Sequence, residues 1–102
     1  MIEMPTASEI EAGFAKRLKL VREAKGFSSG REAAKGMGVA ENTYTSWERG
    51  DKNPRWWHLV LIRRFFGAPL DYLIAGDEAA LQAGMLAEIK RLDSEPSDQE
   101  NV

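Results

Sequence analysis

The sequence predicts an all-α protein: five short helices forming one domain, with an additional C-terminal helix. Three observations carry this. Apolar residues recur at spacings of three and four along most of the chain, the period of a helix with one inward face. Glycines stand where successive stripes stop, at positions 26, 38, 50, 67 and 76. No run alternates polar and apolar side chains as a half-buried strand would, and no internal repeat is present.

Residues 1–5 carry no structural signal, and 1–13 form an extension together with the start of the first helix. Thr6 with Glu9 and Ser8 with Glu11 make two overlapping capping boxes, so both starts stay open. Phe14, Leu18 and Val21 make the inward stripe, and Gly26 ends the helix. Ser28, Ser29 and Gly30 form a link, and Ser29 with Glu32 makes a third capping box. That opens a second helix through Ala33, Ala34 and Met37 to Gly38.

Residues 38 to 50 are the centre of the chain: a tight turn, then one short helix ending at Gly50. Tyr44 and Trp47, one turn apart, give it a narrow inward stripe. Asn42, Thr43, Thr45 and Ser46 face outward, short neutral hydrogen-bonding groups where an ordinary surface helix carries Lys and Glu. Such a surface suits the edges of DNA bases in a major groove, and the bland alternative is a solvated helix of a small bundle. Helix, short glycine-containing turn, helix is the order of a helix-turn-helix unit.

After the loop Gly50-Asp51-Lys52-Asn53-Pro54, residues 55–66 are apolar almost all round. Trp56, Leu59, Ile62 and Phe66 form one stripe; Trp57, Leu61 and Phe65 form a second, so both faces are expected to be covered. Gly67-Ala68-Pro69 breaks this helix, and Leu70 to Ile74 make a fifth short one before Gly76. Asp77 is a candidate N-cap for a final helix over 77–93, with Leu81, Met85, Ile89 and Leu92 as its stripe. Residues 94–102 are polar, acidic and interrupted by Pro96, the composition of a disordered tail.

At 102 residues and 43% hydrophobic content, the chain has room for one modest core. No apolar run approaches the roughly 20 residues a membrane span requires, and the N-terminus lacks the pattern of an export signal. The absence of cysteine excludes disulfides and thiolate metal sites and fits a cytoplasmic location. No cofactor or metal is expected, since His58, the lone histidine, has no partners for a metal site. The net charge of −2 conceals a division: residues 14–66 hold twelve Lys and Arg against five acids, whereas 77–102 hold two against seven. A basic core with an acidic extension is the result.

Five pieces follow in order from Phe14 to Gly76: Arg-Leu…Val-Arg-Glu-Ala-Lys-Gly, the Gly-Val turn, Thr-Tyr-Thr-Ser-Trp-Glu-Arg-Gly, the Asn-Pro loop and Phe-Gly-Ala-Pro-Leu-Asp-Tyr-Leu-Ile. With them the chain resembles the five-helix DNA-binding domain of the phage Cro and CI repressors and their bacterial relatives, the XRE family, with its lambda-repressor-like fold. The resemblance implies a domain over 14–76 that binds double-stranded DNA as a transcriptional regulator, a repressor, without enzymatic activity. It further implies a structural ion pair between Arg22 and Glu48, base-reading positions at Glu41, Asn42, Thr43, Thr45 and Ser46, and phosphate-holding positions at Ser29, Arg31, Arg49, Lys52, Asn53 and Arg55. Three positions depart from the family pattern: Gly30 replaces a frequent Gln, Ala40 replaces a Ser or Thr cap, and Arg63 replaces a small residue. The link before Gly30 is also one residue longer than usual.

Two rival readings arise. Gly26-Phe27-Ser28-Ser29-Gly30 matches the G-x-S-x-G pattern of serine hydrolases, but that chemistry requires a strand-to-helix turn above a sheet, and no strand is available. The other is an antitoxin or adaptor that chiefly holds a protein partner. It is motivated by the stripe Trp57, Leu61 and Phe65 and by the acidic C-terminal helix. A homodimer that uses these residues with Leu81, Met85, Ile89 and Leu92, or packing of the last helix on that stripe within one subunit, accounts for the same features.

Overall fold

A computed structural model of the chain describes residues 2–95. Six helices follow one another: α1 (Ala7–Ala24), α2 (Gly30–Met37), α3 (Glu41–Arg49), α4 (Trp56–Phe66), α5 (Leu70–Ala75) and α6 (Ala83–Ser94). No strand occurs among the described residues. Of the expected disordered tail, Ser94 instead closes α6 and Glu95 caps it, and residues 96–102 lie outside the described residues.

Thr6 decides the start of α1. Its hydroxyl accepts from Glu9 N while its own N–H donates to Glu9 Oε1, so two otherwise unpaired donors are satisfied reciprocally. The rival pair is not used, and Glu11 reaches across the molecule to Asn53 instead. At α2, Ser29 accepts from Glu32 N, but Glu32 turns back to Ser28 rather than to Ser29, so the box is only half made. The α2–α3 turn needs its glycine: Gly38 sits at φ 83°, a left-handed conformation that a Cβ penalises, and its N–H closes back on Ala34 O.

The core joins all six helices. Leu18, Val21, Tyr44, Ile62, Phe66 and Leu73 are fully buried, with Ala33, Ala34 and Trp47 filling the space between α2 and α3. Each such aliphatic or aromatic side chain contributes about 1.5–3 kcal/mol by leaving water. Arg17 ties α1 to the end of α5 by donating from Nε to Leu73 O and from Nη2 to Ile74 O, both at 3.0 Å. Those terminal carbonyls have no partner within their own helix.

Three expectations are corrected. The final helix begins at Ala83, not after Asp77: the Asp77 carboxylate accepts from Ala79 N and so stabilises a turn, while its N–H closes the end of α5 on Asp71 O. Leu81, in the connecting turn, is buried before the helix starts. Second, α6 lies along α1, not on the second stripe of α4, with Ile89 in the core and Lys16–Asp93 and Lys90–Glu78 ion pairs on the rim. Third, the two stripes of α4 are not both covered. Trp56, the first residue of the helix, lies well off the Leu59–Ile62–Phe66 line and is 72% exposed.

Phe65 is half-buried against α2: a Cβ on Gly36 would come 2.7 Å from its ring, and Phe27 stacks on it at 5.2 Å. Phe65, Leu81 and Ile89 are thus engaged within the subunit, with Met85 half-buried against the same core and Leu92 half-buried beside α1. Of the expected interface residues, Trp57 and Leu61 remain exposed, together with Trp56 and Val60.

Candidate nucleic-acid interface

α3 is held from behind. Tyr44 and Trp47 bury its inner face, and Arg22 Nε donates to Glu48 Oε2 at 2.7 Å while Nη2 reaches Oε1 at 3.2 Å. The third arm of the guanidinium, Nη1, donates to Phe27 O at 2.8 Å, so one side chain joins α1, the α1–α2 link and α3. Burial alone would lower the Arg22 pKa, but the Glu48 hydrogen bond and charge outweigh it and raise the value, fixing the cation. The Tyr44 hydroxyl is buried beside this pair with no hydrogen-bond partner among the described residues. Burial first, then the Glu48 charge, pushes its ionisation far above the ordinary phenol range.

The outer face is divided by depth. Glu41 and Asn42 are exposed, and Thr43 and Thr45 are half-buried. Ser46 is different: it is 6% exposed and its hydroxyl donates to Thr43 O at 2.7 Å. The backbone carbonyl of Ser46 accepts from Asp51 N and Lys52 N, which closes the C-terminal end of α3.

The expected phosphate-holding residues surround this face, mostly exposed. Lys52 has no ion-pair partner among the described residues, whereas Arg49 pairs with Asp51 at 2.9 Å and Arg31 stands 3.9 Å from Glu41. Arg55 lies 5.4 Å over the Trp57 ring, a cation–π distance. Asn53 donates to Glu11 at 2.9 Å, and the Ser29 hydroxyl is committed to capping α2. Asn42, Thr43 and Ser46 share with Lys52, Asn53 and His58 the lining of an open polar concavity of about 400 Å³.

His58 is a residue that sequence reasoning left without a role. Its Nδ1 accepts from Arg55 N at 3.2 Å and its ring stacks on Trp47 at 4.9 Å, so it caps α4 and braces that helix against α3. The signal was available: Arg55 cannot cap a helix with an oxygen, and a ring nitrogen three residues on takes the reciprocal place.

The described residues hold no group of three or more His, Cys, Asp or Glu that could bind a metal. Ser28 sits in the link before α2, hydrogen-bonded to Glu32, and no strand occurs among the described residues to place beneath it.

A helix-turn-helix family model matches residues 18–73, more than half of the chain. The chain belongs to the XRE-type helix-turn-helix family. The matched stretch of this helix-turn-helix domain runs from the core residue Leu18 of α1 to the core residue Leu73 of α5, leaving α6 outside it. The chain is similar, at 29% identity over 63 residues, to the Cryptic phage CTXphi transcriptional repressor RstR of Vibrio cholerae; the overlap covers 62% of this chain and 57% of that protein. No solved structure matches the chain. None of the described helices is long and apolar enough to cross a membrane.

Proposed function

We propose that this helix-turn-helix protein is a sequence-specific, double-stranded DNA-binding transcriptional regulator, a repressor, that inserts α3 into the major groove. One observation carries the reading: α3 is anchored on its inner face by the Arg22–Glu48 pair and offers Asn42, Thr43 and Thr45 outward, between the exposed cations Arg31, Arg49, Lys52 and Arg55. Amide and hydroxyl groups can discriminate base edges, while the flanking cations are suited to phosphates on either side. The name of the similar Vibrio cholerae protein supports repression as the outcome. A DNA target puts the working protein in the cytoplasm, and the reading calls for no cofactor.

A single small domain covers one half-site, and two-fold operators are read by dimers. The apolar surface of α4 formed by Trp56, Trp57, Val60 and Leu61 supports homodimerisation. The same surface is what an antitoxin or adaptor would use on a protein partner, so that second reading rests there. Selection of binding sites from a random duplex pool tests the proposal. The expected product is a motif of two inverted half-sites about 10 base pairs apart. A pool that stays random, with a second protein co-purifying with the chain, favours the adaptor.

A further inference from the structure

The contact between α2 and α3 holds a feature that phosphate and base contacts leave unexplained. A Cβ placed on Gly30, the first residue of α2, would lie 3.1 Å from Thr45 Cγ2 and 3.3 Å from the Tyr44 ring, closer than side chains normally tolerate. Gly30 is not among the glycines with positive φ, so its backbone does not require glycine. Nor does a helix favour it, since glycine is the weakest helix former apart from proline. What glycine supplies here is a notch, and the Thr45 methyl sits in it.

We propose that Gly30 is a specificity-determining residue that acts through Thr45, an inference that rests on α3 being the base reader. Tyr44 is fully buried and cannot yield, whereas Thr45 is half-buried at the outer face. A threonine on a helix has two accessible rotamers, and turning from one to the other moves its methyl to a different staggered position. With the methyl in the notch, the hydroxyl, which donates to Asn42 O at 3.4 Å, is the group left to meet a base edge, where its oxygen can accept. Filling the notch turns the methyl outward, and an outward methyl favours the C5-methyl of thymine. The identity of residue 30, which touches no base, thus sets which chemical face of Thr45 the DNA meets.

The test selects binding sites from one random duplex pool with four proteins: the parent, Gly30→Ala, Thr45→Ser, and the double variant. Gly30→Ala is expected to shift base preference at one or two positions by about fivefold or more toward thymine. Its affinity for random duplex should stay within about twofold of the parent, because phosphate contacts are untouched. Serine has no methyl to displace, so in the Thr45→Ser background the Gly30→Ala change should have no effect on the motif. A parent motif unchanged in Gly30→Ala overturns the inference and leaves the base-reading proposal standing. A uniform loss across all sites also overturns it, since α3 has then moved as a body. If Gly30→Ala melts far below the parent, recovery in the double variant supports the clash with Thr45, and failure to recover overturns it. A parent that enriches no motif overturns the base-reading proposal itself, and this inference with it.

Discussion

Arg22 Nε on α1 and Glu48 Oε2 on α3 lie 2.7 Å apart, with side chains only 7% and 12% exposed. The pair is bidentate and spans 26 residues of sequence, so it fixes the angle at which α3 leaves the body of the domain. Removing one partner strands a buried charge at a cost of about 3–5 kcal/mol. Arg22→Ala and Glu48→Ala should each lower the melting temperature by more than about 10 °C in a domain of this size. Calorimetry that finds either variant melting within about a degree of the parent contradicts a structural role for the pair.

The two tyrosines set an alkaline limit. Burial raises the pKa of Tyr44, with Glu48 adding to it, and burial likewise raises that of Tyr72 against the opposing charge of Arg17. A group whose folded pKa exceeds its unfolded value contributes stability that is fully present below the unfolded value, about 10 for tyrosine, and lost as pH rises beyond it. Urea unfolding should therefore show constant stability from these groups up to about pH 10, then a fall of about 1.4 kcal/mol per pH unit for each tyrosine held neutral. Tyr44→Phe should reduce that slope. At neutral pH it should cost less than about 1 kcal/mol, since the hydroxyl it removes is unpaired. An identical alkaline slope in Tyr44→Phe contradicts the assignment.

Association and folding should separate on the two apolar surfaces. Trp57→Glu with Leu61→Glu alters exposed residues, so it should give folded monomers by sedimentation, with a melting temperature that no longer depends on protein concentration. Leu81→Asp or Ile89→Asp places a carboxylate in the α1–α6 contact and should lower the melting temperature sharply. A Trp57→Glu/Leu61→Glu protein that still sediments as a dimer excludes the α4 surface as the interface.

Sequence pattern was sufficient for features decided locally. The glycines at 38, 50, 67 and 76 end α2, α3, α4 and α5, and the helical period of Phe14, Leu18 and Val21 identifies the core side of α1. It failed where a distant segment decides. Glu11 has the spacing of a helix cap and spends its carboxylate on Asn53, 42 residues away. The apolar stripe of α6 does not by itself choose α1 over α4 as its neighbour. Phe65, already seated on Gly36 and Phe27, leaves less of α4 open to it.

The division of labour on the DNA surface is tested most directly by titrating the selected site and a random duplex with Asn42→Ala, Ser46→Ala and Lys52→Ala across a range of salt. Asn42→Ala should weaken the selected site by about 1–3 kcal/mol and leave random DNA unaffected. Ser46→Ala should leave the specific-to-random ratio unchanged, because its hydroxyl is buried and already bonded to Thr43 O. Lys52→Ala should weaken both duplexes equally and reduce the log–log salt slope by about one unit. An Asn42→Ala protein that keeps the parental ratio of specific to random binding would contradict the claim that α3 reads the bases.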